Sequence, residues 1–296
     1  MRVFVTGATG NIGTAVVDDL IAAGHQVLGL CRAEAKAAAL AAAGAEICRG
    51  SLQDVESLNQ AVARADAVIH LAFNHDFSAF AANCEDDRRV ILALGAALAG
   101  TGRPLVVTSG TPIANTVPGE PAREGNAIHG AAVHPRAASE EAAAVIAAAG
   151  VNVSVVRLPQ VHDPVTQGLI TPMIAIYREK GVCAYIGDGL NRWPAAHRLD
   201  VARLYRLVVE RAEPGAAYHA VAEPGVPLRD IARTIGQRLN LPVTAIDPQE
   251  AQGFFGWLAM FAGHDMPASS AITREKLGWQ PTGPSLLADL ERLRIA

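Results

Sequence analysis

Residues 6–13 form a glycine-rich segment with the composition and spacing of a phosphate-binding turn. The segment reads TGATGNIG and lies between an apolar strand pattern and a helical pattern. Gly7 permits a tight turn, Gly10 lets the backbone approach a pyrophosphate, and Gly13 lets the following helix pack close to the strand. The helix N-terminus adds free N–H groups and the positive end of its dipole. We therefore predict a dinucleotide site at Gly7, Thr9, Gly10, Asn11, Ile12 and Gly13.

The residue that reads the adenosine ribose is expected about twenty positions later, at the end of the second strand. An acidic residue there favours NAD(H), but this chain has Cys31 followed by Arg32. A guanidinium can pair with a 2′-phosphate through two hydrogen bonds, so Arg32 favours NADP(H). The alternative is that Arg32 is solvated at the strand end or stacks on adenine, in which case NAD(H) is also accepted.

Short apolar runs alternate with helical patterns through the first half of the chain, and this alternation predicts the elements that position the glycine segment. Because the strands are apolar throughout, we expect a parallel sheet with helices on both faces, a doubly wound Rossmann fold. Asp54 and Asp200 are predicted helix N-caps. The predicted strands cover residues 2–5, 26–30, 45–48, 67–71, 105–108 and 151–156. The predicted helices cover 12–23, 33–43, 54–63, 86–99, 136–149, 200–210 and 228–239.

The regular alternation of predicted strands and helices ends after Pro159, and this change predicts that the chain folds into two portions. Residues 1–165 are predicted to form the NAD(P)-binding Rossmann domain. Residues 166–296 are predicted to form a smaller, mixed and mainly substrate-binding portion, with segments at about 190–215 returning to the Rossmann core.

Composition excludes several classes of protein. Of the 296 residues, 50% are hydrophobic. The formal net charge is −4, so the protein has no basic field that would attract nucleic acid or an anionic membrane. We expect a cytoplasmic protein, since neither a secretory signal nor an apolar run of about 20 residues is present. The four cysteines are far apart and there is no HExxH motif, so no metal site is expected.

Several motifs together resemble the extended short-chain dehydrogenases/reductases. They are TGATGNIG at 6–13, GSLQD at 50–54, HLA at 70–72, VRLPQVHDP at 156–164, IGDGLN at 186–191, HRLDVARLY at 197–205 and REKLGWQP at 274–281. The resemblance implies a Rossmann domain with a small C-terminal domain that closes over the nicotinamide. It also implies further cofactor contacts: Ser51 and Leu52 near adenine, Leu71, Ala72 and Phe73 near ribose and pyrophosphate, and Thr108, Pro159 and Val161 towards the nicotinamide end.

The catalytic Tyr-x-x-x-Lys pair of that family is absent. No tyrosine precedes Tyr177 and no lysine lies between positions 37 and 179. The segment HPRAASE at 134–140 occupies the place of the pair. Matching its Ser-Glu to the family's Ser-Lys puts Arg136 at the tyrosine position and Glu140 at the lysine position, whereas counting from the fifth strand puts His134 or Pro135 there. This pattern resembles the atypical branch of the family, in which basic residues replace the pair.

The resemblance places four side chains where the family's chemistry occurs. We expect reduction of a small carbonyl compound, with Ser109 or Thr111 holding the oxygen and Arg136 stabilising its charge. His134 is expected to supply the proton, because histidine exchanges protons near neutral pH whereas arginine does not. The alternative is that His134 only begins the helix and Arg136 binds cofactor ribose or phosphate.

The substrate is expected to contact His162, Arg192, Trp193 and His197, by position in the family pattern. The late apolar group Phe254, Phe255, Trp257, Met260 and Phe261 is expected in the core, under a lid or along an apolar substrate wall. Two other functions are left open, a nucleotide-sugar epimerase or dehydratase and a non-catalytic NADP(H) sensor. By analogy with the family, helices near 90–99 and 140–149 are expected to form a homodimer interface.

Overall fold

A computed structural model describes residues 1–294 and contains one large and two small β-sheets. The strands are β1 Arg2–Thr6, β2 Gln26–Cys31, β3 Glu46–Arg49, β4 Ala67–His70, β5 Leu105–Gly110, β6 Val153–Leu158, β7 Gln160–His162, β8 Cys183–Ile186, β9 Arg192–His197, β10 Ala217–His219, β11 Glu223–Pro227 and β12 Val243–Ile246. The helices are α1 Asn11–Ala22, α2 Glu34–Ala42, α3 Val55–Ala63, α4 Phe80–Leu98, α5 Ala138–Ala148, α6 Ile170–Lys180, α7 Arg198–Arg211, α8 Leu228–Leu239, α9 Ala251–Phe255, α10 Ala259–Ala262, α11 Ala271–Leu277 and α12 Leu286–Glu291.

The large sheet has seven strands in the order β3-β2-β1-β4-β5-β6-β10, all of them parallel. Its residues alternate between two apolar cores: Val3 and Val5 face α1 and α7, whereas Phe4 faces α3, α4 and α5. Both faces are therefore covered, which requires strands that are apolar throughout. The predicted doubly wound Rossmann fold is confirmed.

The remaining strands form a smaller mixed portion with its own core. Strands β11, β9 and β7 form one sheet, in which β9 is antiparallel to β11 and parallel to β7, and β12 pairs with β8. Tyr177, Trp193 and Phe255 are the large buried side chains of this core. The chain also returns to the first portion: α7 packs against α1, and β10 forms the edge of the large sheet beside β6.

Two predicted element ends differ from the structure for local reasons. Helix α4 begins at Phe80 rather than at position 86, because Asp76 caps a preceding turn through the Ser78 amide and Asn83 donates to the Asp76 carbonyl. The helix expected from position 136 begins instead as a 3₁₀ turn over Pro135–Ala137, and α5 follows at Ala138. Proline suits a first turn because its missing N–H has no partner there in any case.

The two predicted N-caps have different outcomes. Asp54 caps α3, since its carboxylate accepts from the Ser57 amide at 3.1 Å. Asp200 is not a cap: it lies in the first turn of α7, and its carboxylate accepts from the amides of Thr282 and Gly283. His197 caps α7 instead.

Within residues 1–294, no helix is long and apolar enough to cross a bilayer. The same residues contain no group of three or more His, Cys, Asp or Glu side chains placed to hold a metal ion.

Candidate cofactor and active site

The glycine segment forms a turn that other residues cannot form. Gly7 has φ +69°, and a Cβ on it would lie 2.8 Å from the Ala72 amide nitrogen. A Cβ on Gly13 would lie 2.0 Å from the Gly7 carbonyl oxygen, so α1 begins in direct contact with the turn. Steric exclusion, rather than flexibility alone, therefore explains glycine at both positions.

The N-terminus of α1 has the features of an anion site. Gly10 is its N-cap and has no side chain to satisfy the first amides, and the first turn contains no acidic residue. The amides of the first turn, at Asn11, Ile12 and Gly13, are thus open to a ligand, and the helix dipole favours negative charge there. The residues present therefore fit the pyrophosphate of a dinucleotide.

The loop after β4 lies directly beside this turn. The Ala72 amide donates to Thr6 Oγ1 at 3.2 Å, and Leu71 and Ala72 contact Gly7. Leu71, Ala72 and Phe73 are all half-buried at the carboxyl end of the sheet. The structure thus brings these three residues together with the glycine segment, as the family motif implies.

Arg32 lies exposed immediately after β2, and among residues 1–294 its side chain has no hydrogen-bond partner. Arg49 lies beside it, because Arg49 pairs with Cys31 in the register of β2 and β3, and Arg49 forms an ion pair of 2.7 Å with Glu34. Ser51 and Leu52, half-buried, follow β3 at the same edge. This edge therefore presents one accessible guanidinium and a second that is already paired.

Sequence reasoning missed Arg198, which lies at the N-terminus of α1. Its Nε is 3.0 Å from Asp163 Oδ2, and its Nη1 is 3.4 Å from Asn11 Oδ1. A cation at this position adds to the helix dipole in favour of phosphate. The HRLD motif at 197–200 was the available signal, but only His197 was selected from it.

The nicotinamide-side segment is only partly accessible. Pro159 is half-buried between β6 and β7. Val161 is 6% exposed and belongs to the core of the large sheet. A ligand can therefore contact Pro159 and the backbone of Val161, but not the buried Val161 side chain.

Three hydroxyls lie at or just after the end of β5, and among residues 1–294 only the Ser109 hydroxyl has no hydrogen-bond partner. Thr108 Oγ1 donates to the His70 carbonyl and lies 2.7 Å from the Tyr205 hydroxyl, and Thr111 Oγ1 makes a long contact of 3.4 Å with the Leu158 carbonyl. Ser109 is 3% exposed, and its Oγ lacks a hydrogen-bond partner among residues 1–294. A buried hydroxyl without a partner costs free energy, and at the carboxyl end of a parallel strand it suggests a ligand contact.

Arg136 is held by a buried carboxylate. Its Nη1 donates to Asp87 Oδ2 at 2.6 Å and to the Ser139 hydroxyl, and its Nη2 donates to the Thr108 carbonyl at 2.8 Å. Its guanidinium also lies over the Phe73 ring, 4.2 Å from the centroid. Nε and one Nη2 hydrogen have no partner within residues 1–294, so Arg136 can still donate into the site.

Asp87 joins Arg136 to the glycine segment. His70 Nε2 lies 3.0 Å from Asp87 Oδ1, and His70 Nδ1 lies 2.7 Å from Thr6 Oγ1. Burial alone raises the pKa of Asp87, but the Arg136 charge and hydrogen bonds from His70 and Ser139 outweigh burial and lower the pKa below its usual range. Asp87 is therefore ionised, and the chain Arg136–Asp87–His70–Thr6 connects the 3₁₀ turn before α5 to the cofactor turn.

His134 precedes the turn that leads into α5 and is neutral at pH 7. Burial, followed by the nearby charges of His129 and Arg136, lowers the pKa of His134 to about 4. Its Nδ1 is buried and lacks a partner in the part of the chain that the structure describes.

Glu140, which matches the family's lysine in one of the two alignments given above, forms a buried ion pair. Its carboxylate accepts two hydrogen bonds of 2.8 Å each, from Nε and Nη2 of Arg157 on β6. Both groups are buried. A structural ion pair therefore replaces the catalytic lysine.

The structure brings two of the four predicted substrate residues together: His162 and His197 are paired in the register of β7 and β9, with ring centroids 5.7 Å apart, and both lie near Asp289. His162 is fully buried, with Nδ1 2.8 Å from Asp289, and Trp193 is fully buried in the core of the smaller portion. Neither side chain is accessible in this structure, and His162 Nε2 and Trp193 Nε1 have no hydrogen-bond partner among residues 1–294. His197, 8% exposed, caps α7, and only Arg192 is accessible, where it pairs with Asp265 at 2.7 Å.

A family model and two relatives match this chain. The family model described as NAD(P)H-binding matches residues 7–175. The uncharacterized protein C2A9.02 of Schizosaccharomyces pombe is 44% identical over 98% of both chains. The uncharacterized protein YLL056C of Saccharomyces cerevisiae is 41% identical over 98% of both chains.

Solved structures show the same fold. DesIV, a dTDP-glucose 4,6-dehydratase from Streptomyces venezuelae, matches with a TM-score of 0.79 and 19% identity over 99% of this chain and 95% of its own. UDP-glucose 4-epimerase from Thermotoga maritima matches with a TM-score of 0.77 and 20% identity over 99% and 97%. The chain therefore belongs to the NAD(P)H-binding family and has the fold of the extended, epimerase/dehydratase-like short-chain dehydrogenases/reductases.

Proposed function

We propose that the protein is an NADP(H)-dependent oxidoreductase that reduces a small carbonyl compound without a Tyr-Lys pair. The observation that carries the proposal is the buried Ser109 hydroxyl, which has no partner within residues 1–294 at the carboxyl end of β5. A carbonyl oxygen would supply the missing acceptor. The exposed Arg32 guanidinium supports NADP(H) over NAD(H), since a 2′-phosphate would pair with it.

Each side chain then has one task. A dinucleotide held at the glycine segment would supply the hydride that the carbonyl carbon accepts. Ser109 donates a hydrogen bond to the carbonyl oxygen, and the free N–H groups of Arg136 stabilise the negative charge that develops there. His134 supplies the proton that completes the alcohol, and it recovers that proton from solvent.

The Ser109→Ala substitution tests this assignment. We expect kcat/KM for a reducible aldehyde to fall about 100-fold, as when one donor to a developing oxyanion is removed. The Kd for NADPH should stay within about twofold. Ser154→Ala, which removes a buried hydroxyl from the neighbouring strand, is the control. Equal kcat/KM values for Ser109→Ala and the unaltered protein would show that Ser109 has no role in the reaction.

The dependence of rate on pH tests His134 separately. With a pKa of about 4, His134 carries its proton in about one molecule in a thousand at pH 7. We expect kcat/KM to fall about tenfold for each pH unit between pH 5 and 8 and His134→Gln to abolish this slope. A flat profile in the unaltered protein would mean that another group supplies the proton.

A non-catalytic sensor of NADP(H) is the second candidate. The observation that favours it is that Arg136 and Glu140, at the positions of the catalytic pair, both form buried ion pairs. Tight NADPH binding without oxidation across a broad panel of aldehydes and ketones would support the sensor. Turnover of UDP-glucose or dTDP-glucose would instead support an epimerase or dehydratase, the activities named for the structural neighbours.

A further inference from the structure

Six rings form a continuous cluster that sequence reasoning recognised only in part. We call it the aromatic wall: Phe73, His75, Phe77 and Phe80 from the segment after β4, and Trp257 and Phe261 from the segment between α9 and the end of α10. Phe77 and Trp257 stack with centroids 4.6 Å apart and planes 9° from parallel. The wall therefore joins the Rossmann portion to the smaller portion.

The wall begins at the proposed reaction site. Phe73 follows β4 at the carboxyl edge of the sheet, where ligands of open parallel sheets bind. The Arg136 guanidinium, which would stabilise the substrate oxygen, lies over the Phe73 ring. A substrate held near Arg136 would therefore lie against the wall.

Packing alone does not account for the wall. Phe255 and Leu258 of the same segment are buried, but Trp257 is 40% exposed and the neighbouring Met260 is 49% exposed. The two other tryptophans, Trp193 and Trp279, are buried. An exposed stacked indole beside a further exposed apolar side chain is typical of a binding surface.

The charges near the cleft favour an uncharged ligand. Arg136 is paired with Asp87, and Arg192 is paired with Asp265. Burial, and then the Arg136 charge, lowers the pKa of His75, so this ring is neutral at pH 7. A nucleotide diphosphate carries several negative charges, and these two arginines add no net positive charge because each is balanced by a carboxylate, although Arg136 can still donate single hydrogen bonds.

We propose that the aromatic wall binds an uncharged aromatic aldehyde or ketone, which is the substrate class of this enzyme. The proposal rests on the proposed carbonyl reduction and specifies its substrate. A planar ring would stack on Phe77 or Trp257, whereas a saturated ring of equal size would gain only apolar contact. One aromatic pair contributes about 0.5–1.5 kcal/mol beyond area burial, which corresponds to about a two- to tenfold difference.

A matched pair of substrates tests the preference. Benzaldehyde and cyclohexanecarbaldehyde differ in planarity and have similar size. We expect kcat/KM with NADPH to be about two- to tenfold higher for benzaldehyde. Trp257→Leu or Phe77→Leu should remove the difference, mainly by raising KM. Phe254→Leu is the control, because Phe254 packs on Tyr177 and Phe255 outside the wall. An unchanged NADPH Kd shows that each variant is folded.

Direct binding separates this inference from the proposed reaction. With NADP⁺ present, 4-fluorobenzaldehyde binding is followed by ¹⁹F NMR line broadening. If the unaltered protein broadens the signal and Trp257→Leu does not, the aromatic wall binds the aldehyde. This conclusion holds even if no aldehyde is reduced, and in that case only the proposed reduction is wrong. If both aldehydes are reduced at equal rates and Trp257→Leu has no effect, the proposed aromatic binding at the wall is wrong, whereas the proposed reductase function is supported. Binding of UDP-glucose in preference to the aldehyde also overturns it.

Discussion

Arg136 and Glu140, which match the family's tyrosine and lysine in one of the two alignments, have partners of opposite charge. Arg136 pairs with Asp87, and Glu140 pairs with Arg157. A single substitution cannot restore the family pair, because each replacement would leave a buried partner without its counter-charge. The departure from the Tyr-x-x-x-Lys pattern therefore involves buried ion pairs as well as the two positions themselves.

The Glu140→Lys substitution tests this point. It places an ammonium beside the buried Arg157 guanidinium, so the unfolding free energy should fall by about 3–5 kcal/mol or more. Urea unfolding followed by circular dichroism measures the change. Glu141→Lys is the control, since Glu141 pairs with Arg88 at the surface and should lose less than about 1 kcal/mol. Comparable stability of the two variants would show that the Arg157 pair is not needed.

Arg32→Ala tests cofactor choice. Charge-assisted hydrogen bonds contribute about 1.5–3 kcal/mol, so the Kd for NADPH should rise about 10- to 100-fold while the Kd for NADH is unchanged. Fluorescence titration with both nucleotides measures this. Arg89→Ala, at another exposed arginine, should change neither value. If Arg32→Ala weakens both nucleotides equally, Arg32 contacts adenine rather than the 2′-phosphate.

Residue roles that depend on the local backbone could be predicted from sequence. The glycine segment is an example, since Gly7 and Gly13 are dictated by neighbours within the same turn and by the adjacent loop. The partner of Arg136 could not be predicted, because Asp87 is 49 residues away and no local pattern links them. Ser109 was found from its position after a strand, but only the structure distinguishes it from Thr108 and Thr111.

At the scale of elements, the chain Arg136–Asp87–His70–Thr6 links the 3₁₀ turn before α5 to α4, β4 and β1. These elements come together at the carboxyl edge of the sheet, where the cofactor turn and the reacting groups must keep a fixed geometry. Asp87 is the one member that contacts both Arg136 and His70. It is therefore a positioning residue rather than a catalytic one.

Asp87→Asn should destabilise the fold and misplace Arg136. It leaves a charge that is 13% exposed without its counter-ion, and breaking such a pair costs about 3–5 kcal/mol. A double-mutant cycle with Arg136→Met in urea unfolding isolates the pair. Asp86→Asn, in the neighbouring exposed pair with Arg89, is the control. A coupling energy below about 0.5 kcal/mol would contradict this role.

Element types follow from periodicity, but the direction of polar side chains does not. The alternation of apolar runs predicted six of the seven strands of the large sheet to within a few residues, but it did not predict β10. His162 and Trp193 were expected at the substrate because of their positions in the family pattern. They are buried instead, since β7 and β9 lie beneath helices of both portions, and nothing in their local sequence indicates that covering.

At the scale of the whole molecule, two histidines make stability depend on pH. Burial lowers the pKa of His134 and of His219 to about 4. The unfolded chain binds these protons near pH 6.5, so stability is complete above pH 6.5 and is lost as pH falls towards 4. Each histidine contributes a slope of up to about 1.4 kcal/mol per pH unit near pH 5.

Urea midpoints at pH 7, 6 and 5 test this dependence. We expect a progressive fall, with His134→Gln reducing the slope because one of the two proton-binding groups is removed. Equal midpoints at all three pH values would contradict the buried neutral state of both histidines.

The position of β10 has a consequence for protein synthesis. The cofactor-binding sheet ends at an edge strand drawn from Ala217–His219, and α7, which covers α1, also comes from the second half. A growing chain must therefore add about 60 residues after β6 before that edge is covered, which takes about 3–12 s at about 5–20 residues per second. During that interval β6 presents an unpaired apolar edge, the kind that pairs with other chains. The ribosome-bound nascent chain is thus the state of this protein most exposed to aggregation and to chaperone capture.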